Sequence, residues 1–230
     1  MSKMPKRGIE NSVTAIFEHE LRESCRDNGV DDLSLHLNGG DRTLSADTMF
    51  TVCDRFFIIE MKSRSSNIRD ESRKPAVYHL CEGLMVNPYI RTLHRQCHYI
   101  MWGEEVAASR QVETRFSVYE DSVCRPCVMK NSHVLVEPAQ IIVAPGNSLA
   151  QGAAAGTAGL TKPHFFHYLS WLLGDRNGPA PSFSQTAQLP ITLIGNSAER
   201  RIFGKTFNTY ADFDTWANQA LQNKASRGGN

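Results

Sequence analysis

The stretch from Asp47 to Lys62 constrains this chain more than any other. Asp47-Thr-Met-Phe-Thr-Val-Cys53 and Phe56-Phe-Ile-Ile-Glu-Met-Lys62 are runs dense in β-branched and aromatic residues, the composition that suits a pleated, half-buried surface. Only Asp54 and Arg55 separate them, so the pair reads as a hairpin with a tight turn. Counting register outward from that turn sets Asp47 opposite Lys62 and Met49 opposite Glu60. Side chains alternate faces along a strand. Asp47, Glu60 and Lys62 therefore share one face, and Phe50, Val52, Phe57, Ile59 and Met61 share the other. One face must pack on a core, and the opposite face carries two acids and a lysine at a strand end.

The rest of the chain supplies helices and further strands. Ile9, Val13, Ile16, Phe17 and Leu21 recur at helical spacing, which predicts a helix over 9–28 closed by Asn28-Gly29. Leu33, Leu35 and Leu37 alternate with polar residues, as in a short strand. The polar stretch from Ser63 to Lys74 reads as a loop. Pro75 opens a helix interrupted at Asn87-Pro88, with a second helical piece running to Gln96. His98–Trp102 reads as a buried strand closed by Gly103, and strands are expected over 114–119, 134–136 and 140–143. Residues 144–162 are rich in glycine and alanine and read as a mobile loop or linker. A helix over 162–173, a strand over 189–194 and a closing helix over 210–221 follow, with 223–230 as a frayed tail.

Two carboxylates brought together repel, and each raises the other's pKa. A divalent cation removes that cost. Mg²⁺ takes oxygen ligands and keeps several waters, so two or three carboxylates are a usual protein share. A neighbouring lysine can position a water or stabilise charge on a phosphate. Metal, water and lysine are together the equipment for phosphodiester hydrolysis.

Asp47, twelve intervening residues and Glu60-Met61-Lys62 resemble the Asp…(Asp/Glu)-x-Lys signature of the PD-(D/E)XK nucleases. That superfamily includes restriction endonucleases and archaeal-type Holliday junction resolvases. Lys6-Arg7-Gly8-Ile9-Glu10 resembles the resolvase-like opening in which a glycine and a glutamate start the first helix, and Ile58-Ile59-Glu60-Met61-Lys62-Ser63-Arg64 resembles the strand end. The likeness spans roughly residues 5–105, and Ala46 stands where the signature usually has proline. It implies an α/β fold with a restriction-endonuclease-like core, a mixed central sheet flanked by helices. It also implies Asp47 and Glu60 as principal metal ligands, Glu10 as a further one, Lys62 as the catalytic lysine, and Mg²⁺ or Mn²⁺ as cofactor. The activity implied is endonucleolytic hydrolysis of DNA, in restriction, antiphage defence or recombination.

Arg64, Arg69, Arg73 and Lys74 follow the motif, with Arg91 and Arg95 beyond. Positive charge beside a metal suits a phosphate backbone, so the first four are candidates for binding nucleic acid. The chain as a whole is nearly neutral, with 25 basic against 24 acidic residues, which excludes a histone-like protein but not a local basic groove. Cys124-Arg-Pro-Cys127, with Cys97 and a neighbouring histidine (His94 or His98), could form a structural Zn²⁺ site. Otherwise the six cysteines read as reduced thiols rather than a disulfide framework. No run approaches 18 apolar residues, and Met1–Arg7 leads into an amphipathic segment instead of a signal core, so no membrane and a cytoplasmic protein are expected. Phe165, Phe166, Tyr168, Trp171 and Leu172 offer a homodimer or partner surface within 162–173. The reading is a nuclease-like core over 1–143, a loop over 144–162 and an extension over 163–222 packed on the core. The alternative is an inactive module of the same fold that binds nucleic acid or a partner protein, stabilised by zinc or not.

Overall fold

The computed structural model describes residues 6–30, 32–36, 48–52, 55–106, 108–109, 111–173, 188–196, 202–209, 212 and 215, with side chains for 11–30, 50, 52, 55–106, 108–109, 111–172, 212 and 215. Helix α1 (Lys6–Asp27) forms on the stripe Val13, Phe17, Leu21 and Cys25, all buried. That three-to-four spacing puts one apolar side against a sheet. Strands β1 (Asp32–His36), β2 (Thr48–Val52) and β3 (Arg55–Lys62) then run antiparallel in sequence.

A parallel neighbour for β3 requires a long crossover. A 3₁₀ helix η1 (Ser65–Arg73), α2 (Pro75–Val86) and α3 (Pro88–Cys97) provide it, and β4 (His98–Val106) returns parallel to β3. Antiparallel β5 (Gln111–Val118) and the short helix α4 (Tyr119–Val123) follow. After irregular chain come β6 (Ala144–Pro145), α5 (Gly146–Ala154), β7 (Leu160–Thr161), α6 (Lys162–Leu173), β8 (Gln188–Asn196) and β9 (Ile202–Thr209). Strand order is β6-β5-β4-β3-β2-β1-β8-β9, with β7 on β3. The fold is α/β, a mixed sheet with helices packed on it.

Both faces of β3 are covered. On one, Phe17 of α1 meets Phe50 edge-on at 5.2 Å, and Phe50 stacks on Phe57 at 5.3 Å between ring centroids. On the other, Phe56 stacks on Phe165 of α6 at 5.5 Å. Burial of each such ring stabilises by about 1.5–3 kcal/mol.

The β2–β3 register differs from the sequence expectation. Val52 pairs with Arg55, Phe50 with Phe57 and Met49 with Ile58, not with Glu60. Arg55 already belongs to the strand and closes the ladder opposite Val52, one residue earlier on each side than expected. The shift is two residues, an even number, so Phe50, Val52, Phe57, Ile59 and Met61 still share one face.

Other segments also fold differently from their expectation. Ser65–Arg73 is helical, because Ile68 and Glu71 at a spacing of three both turn inward. Residues 134–136 and 140–143 form no strand, and Val134, Val136, Ile142 and Val143 are exposed. β-branched residues do not make a strand without an edge to pair with, and β5 takes only Ala144 and Pro145 on that side. Within 144–162 the chain forms α5, whose Leu149, Ala150 and Ala153 are buried. Its small residues let it lie close on α1 and β5. A Cβ on Gly146 would come within 2.1 Å of Thr114 Oγ1. Strand β9 was not anticipated, and β8 joins β1, so the C-terminal strands extend the central sheet. Of the closing helix expected over 210–221, only Asp212 and Thr215 are described, and both are helical.

Of the residues named for a partner surface in 162–173, Phe166 is half-buried and the others are turned inward. Phe165, Tyr168, Trp171 and Leu172 are buried inside the chain's own core, leaving Pro163, His164 and His167 exposed. Among the described residues, no helix is long and apolar enough to cross a membrane.

Candidate functional site

The C-terminal end of β3 changes character along one face. Phe56 and Ile58 are apolar, and Glu60 and Lys62 follow on the same side by strand alternation. Parallel β4 places Ile100 beside Glu60 and Trp102 beside Lys62, so the charged pair is walled by large apolar side chains. Beyond Lys62 the chain turns into η1, which carries Glu71 and then Lys74 back to the strand end. Lys62 Nζ donates to Glu60 Oε1 at 2.5 Å and lies 2.7 Å from Glu71 Oε1. Lys74 Nζ donates to Glu60 Oε1 at 2.7 Å and lies 2.9 Å from Glu71 Oε1. Two carboxylates and two ammonium groups thus alternate in one cluster. The side chains of Glu60 and Glu71 are 1% and 0% exposed, that of Lys62 is 10% exposed and that of Lys74 is 29% exposed.

Burial favours the uncharged form of each group, and the opposite charges outweigh it. Burial alone would raise the Glu71 carboxyl pKa, but Lys62 and Lys74 hold it well below the ordinary carboxylate value. Burial alone would likewise lower the Lys62 ammonium pKa, but Glu60 and Glu71 push it up. Lys74 moves in the same direction for the same reason. All three are charged at neutral pH. A buried network of this kind keeps its stability only while complete, because losing one member strands another charge out of water.

A second buried polar group adjoins the first. Tyr119 Oη donates to Glu71 Oε2 at 2.6 Å, and the Tyr119 ring stacks on His98 at 4.4 Å between centroids. Tyr168 Oη lies 2.6 Å from His98 Nδ1 and 2.8 Å from His94 Nδ1. Burial, followed by the nearby His98, Arg95 and Arg91 charges, holds the His94 pKa well below the ordinary histidine value.

The sequence-derived candidates fall as follows. Glu60 and Lys62 are together at the strand end. Asp47 lies outside the described residues, and so does the side chain of Glu10, whose backbone is in α1. Arg64, Arg69 and Arg73 are exposed around η1, and Arg73 pairs with Asp70 at 3.2 Å. Lys74 is not on that basic surface but in the charge cluster. Arg91 and Arg95 pair with Glu120 and Asp121, Arg95 gripping Asp121 with two hydrogen bonds of 2.6 and 2.9 Å. Cys124 is joined to Cys81 in a disulfide, where reduced thiols were expected, while Cys97 is a buried thiol and Cys127 an exposed one. Among the described residues, no three acidic, histidine or cysteine side chains gather as a metal-holding group.

Glu71 and Tyr119 are the site residues that sequence reasoning missed. Glu71 had one signal, its place three residues after Ile68 and three before Lys74 in an otherwise polar stretch. Nothing in the sequence marks Tyr119. Comparison with models of protein families, with curated proteins and with solved structures gave no match.

Two carboxylates and the ammonium groups between them make up the cluster. Carboxylate oxygens from two separate elements, Glu60 from β3 and Glu71 from η1, converge on one point, and a cation, the Lys74 ammonium, already stands there. If a metal were held there, oxygen donors of this kind would be the ones a hard divalent cation takes.

Proposed function

We propose that the chain is a metal-dependent endonuclease of restriction-endonuclease-like fold that hydrolyses phosphodiester bonds of DNA. One observation carries the reading: a glutamate and a lysine two residues apart end a central strand on one face and meet a second buried carboxylate. The order of elements supports it. A leading helix precedes the antiparallel strands, and the strand ending in Glu60-Met61-Lys62 has a parallel neighbour. Asp47 immediately precedes Thr48, which pairs with Ile59, and Glu60 immediately follows Ile59.

Glu60 and Glu71 would hold the metal, with Asp47 and Glu10 as the resemblance implies. Bound Mg²⁺ would supply charge for a phosphoryl oxygen and a water of lowered pKa. Lys62, hydrogen-bonded to Glu60 and beside Glu71, would orient the attacking water or stabilise charge on a phosphate oxygen. Ile100 and Trp102 keep bulk water from one side of the pair, which strengthens its electrostatics. Arg64, Arg69 and Arg73, exposed on the helix that carries Glu71, would meet the phosphate backbone.

The test is cleavage of plasmid and branched DNA with Mg²⁺ by wild type, Asp47→Ala and Lys62→Ala, each checked for folding by circular dichroism. Both variants are expected to lose activity by about a hundredfold or more. Equal cleavage by all three would rule the assignment out. A second reading, a non-catalytic module that binds nucleic acid or a partner, is favoured by one feature: two acids and two lysines cancel. It requires no metal affinity, and DNA binding unchanged in Glu60→Ala.

A further inference from the structure

The cluster contains one more lysine than phosphodiester chemistry at a strand end calls for. Lys62 and Lys74 both contact Glu60 Oε1 and Glu71 Oε1, but they are held differently. Lys62 projects from the middle of the sheet and its side chain is 10% exposed. Lys74 sits at the end of η1, in extended backbone between that helix and α2, and its side chain is 29% exposed. Its ammonium bridges the two acids from the solvent side, at 2.7 and 2.9 Å. Both ammonium groups bridge the same two oxygens, so a divalent cation drawing on both acids would have to take the place of one of them. Of the two, Lys74 is the more exposed and makes the longer contacts, so it is the one with the shorter way to water.

From this we propose that Lys74 is a built-in counter-ion, occupying the cation position between Glu60 and Glu71 until a divalent metal displaces it. The inference rests on the metal site of the preceding section and adds its regulation. Without metal, Lys74 neutralises the acids and keeps the strand end folded. When metal binds, the released ammonium joins the exposed Arg64, Arg69 and Arg73, which lie on the same helix and its flank. Metal loading and positive charge facing the DNA backbone thereby rise together. Arg73, also basic and adjacent in sequence, pairs with Asp70 instead and has no part in the exchange.

The experiment uses the full chain and two readouts. Mn²⁺ affinity is measured by calorimetry for wild type, Lys74→Met, Lys74→Gln and the exposed control Lys130→Met. Amine labelling of each lysine is mapped by mass spectrometry with and without saturating Ca²⁺. The expected result is tighter Mn²⁺ binding by both Lys74 variants, on the order of tenfold or more, with Lys130→Met unchanged. Labelling at Lys74 rises severalfold with Ca²⁺ while Lys62 stays protected. Metal bound by wild type with Lys74 labelling unmoved would overturn the exchange and leave the metal site standing. Metal bound by none of the proteins would overturn both. The two substitutions remove the charge with different polarity, and agreement between them excludes an effect of packing.

Discussion

His94 shows how far a single side chain can be set by its surroundings. It is fully buried, with Tyr168 at its Nδ1, and burial keeps it neutral well below its ordinary pKa of 6.5. The unfolded chain takes up a proton there as pH falls through about 6.5, and the folded chain does not. His94 therefore leaves stability intact above that pH and lowers it below, by up to about 1.4 kcal/mol per pH unit. Urea unfolding is expected to show a lower midpoint at pH 5 than at pH 7.5, and His94→Phe is expected to flatten the difference. A wild-type midpoint unchanged across that range would contradict the burial argument. Residues of this kind were not legible in the sequence. Glu60 and Lys62 were, because strand alternation alone puts them on one face. Glu71, Tyr119 and Lys74 reach the cluster through a helix and a turn that no period announces.

At the scale of elements, segments with a clear apolar period were legible, and η1, α5 and β9 were not. The α1 stripe and the strands β2, β3 and β4 follow from apolar spacing, and their boundaries fall within a few residues of the expectation. The β2–β3 register differs by two because Val52 pairs with Arg55, and an even shift leaves the hydrophobic pattern equally satisfied, so the pattern could not choose between the two. The segment 144–162 misled because alanine and glycine serve a linker and a close-packed helix equally well. Helix α6 misled in the opposite sense, since its aromatic richness suits a docking face, but Phe165 is spent on Phe56 beneath it. Phe165→Ala should therefore destabilise by about 3–5 kcal/mol, as removal of a core ring does. Denaturant titration checks this. A loss below about 1 kcal/mol, typical of surface substitutions, would mean that α6 is not part of the core. Gly29, Gly156 and Gly159 all have positive φ among the described residues, and Gly159, just before β7, is the one of the three where an added Cβ would also meet other atoms. Its φ is +86°, and an added Cβ would meet the Phe56 carbonyl oxygen at 3.0 Å.

At the scale of the whole molecule, two long-range constraints tie the crossover to the rest of the chain. One is the mixed sheet, in which the parallel β3–β4 pair forces η1, α2 and α3 across one face and so delivers Glu71 and Lys74. The other is the disulfide from Cys81 in α2 to Cys124 after α4, spanning 43 residues. A cross-link of that loop length stabilises by about 4 kcal/mol through the unfolded chain. Reduction, or Cys81→Ala with Cys124→Ala, is expected to lower the melting temperature by several degrees. An unchanged melting temperature after verified reduction would show that the bond contributes nothing to the fold. The sequence hid this pairing, because Cys124 also belongs to a Cys-x-x-Cys that invites a metal reading.

The centre of the account is that Glu60 and Glu71 share a divalent cation. The most direct measurement is anomalous scattering from a crystal of the full chain soaked in Mn²⁺. The result expected is one strong peak between the two carboxylates, within ligand distance of an oxygen of each, with Lys74 Nζ moved off that position. Bound Mn²⁺ elsewhere on the chain, with Lys74 still bridging Glu60 and Glu71, would contradict it.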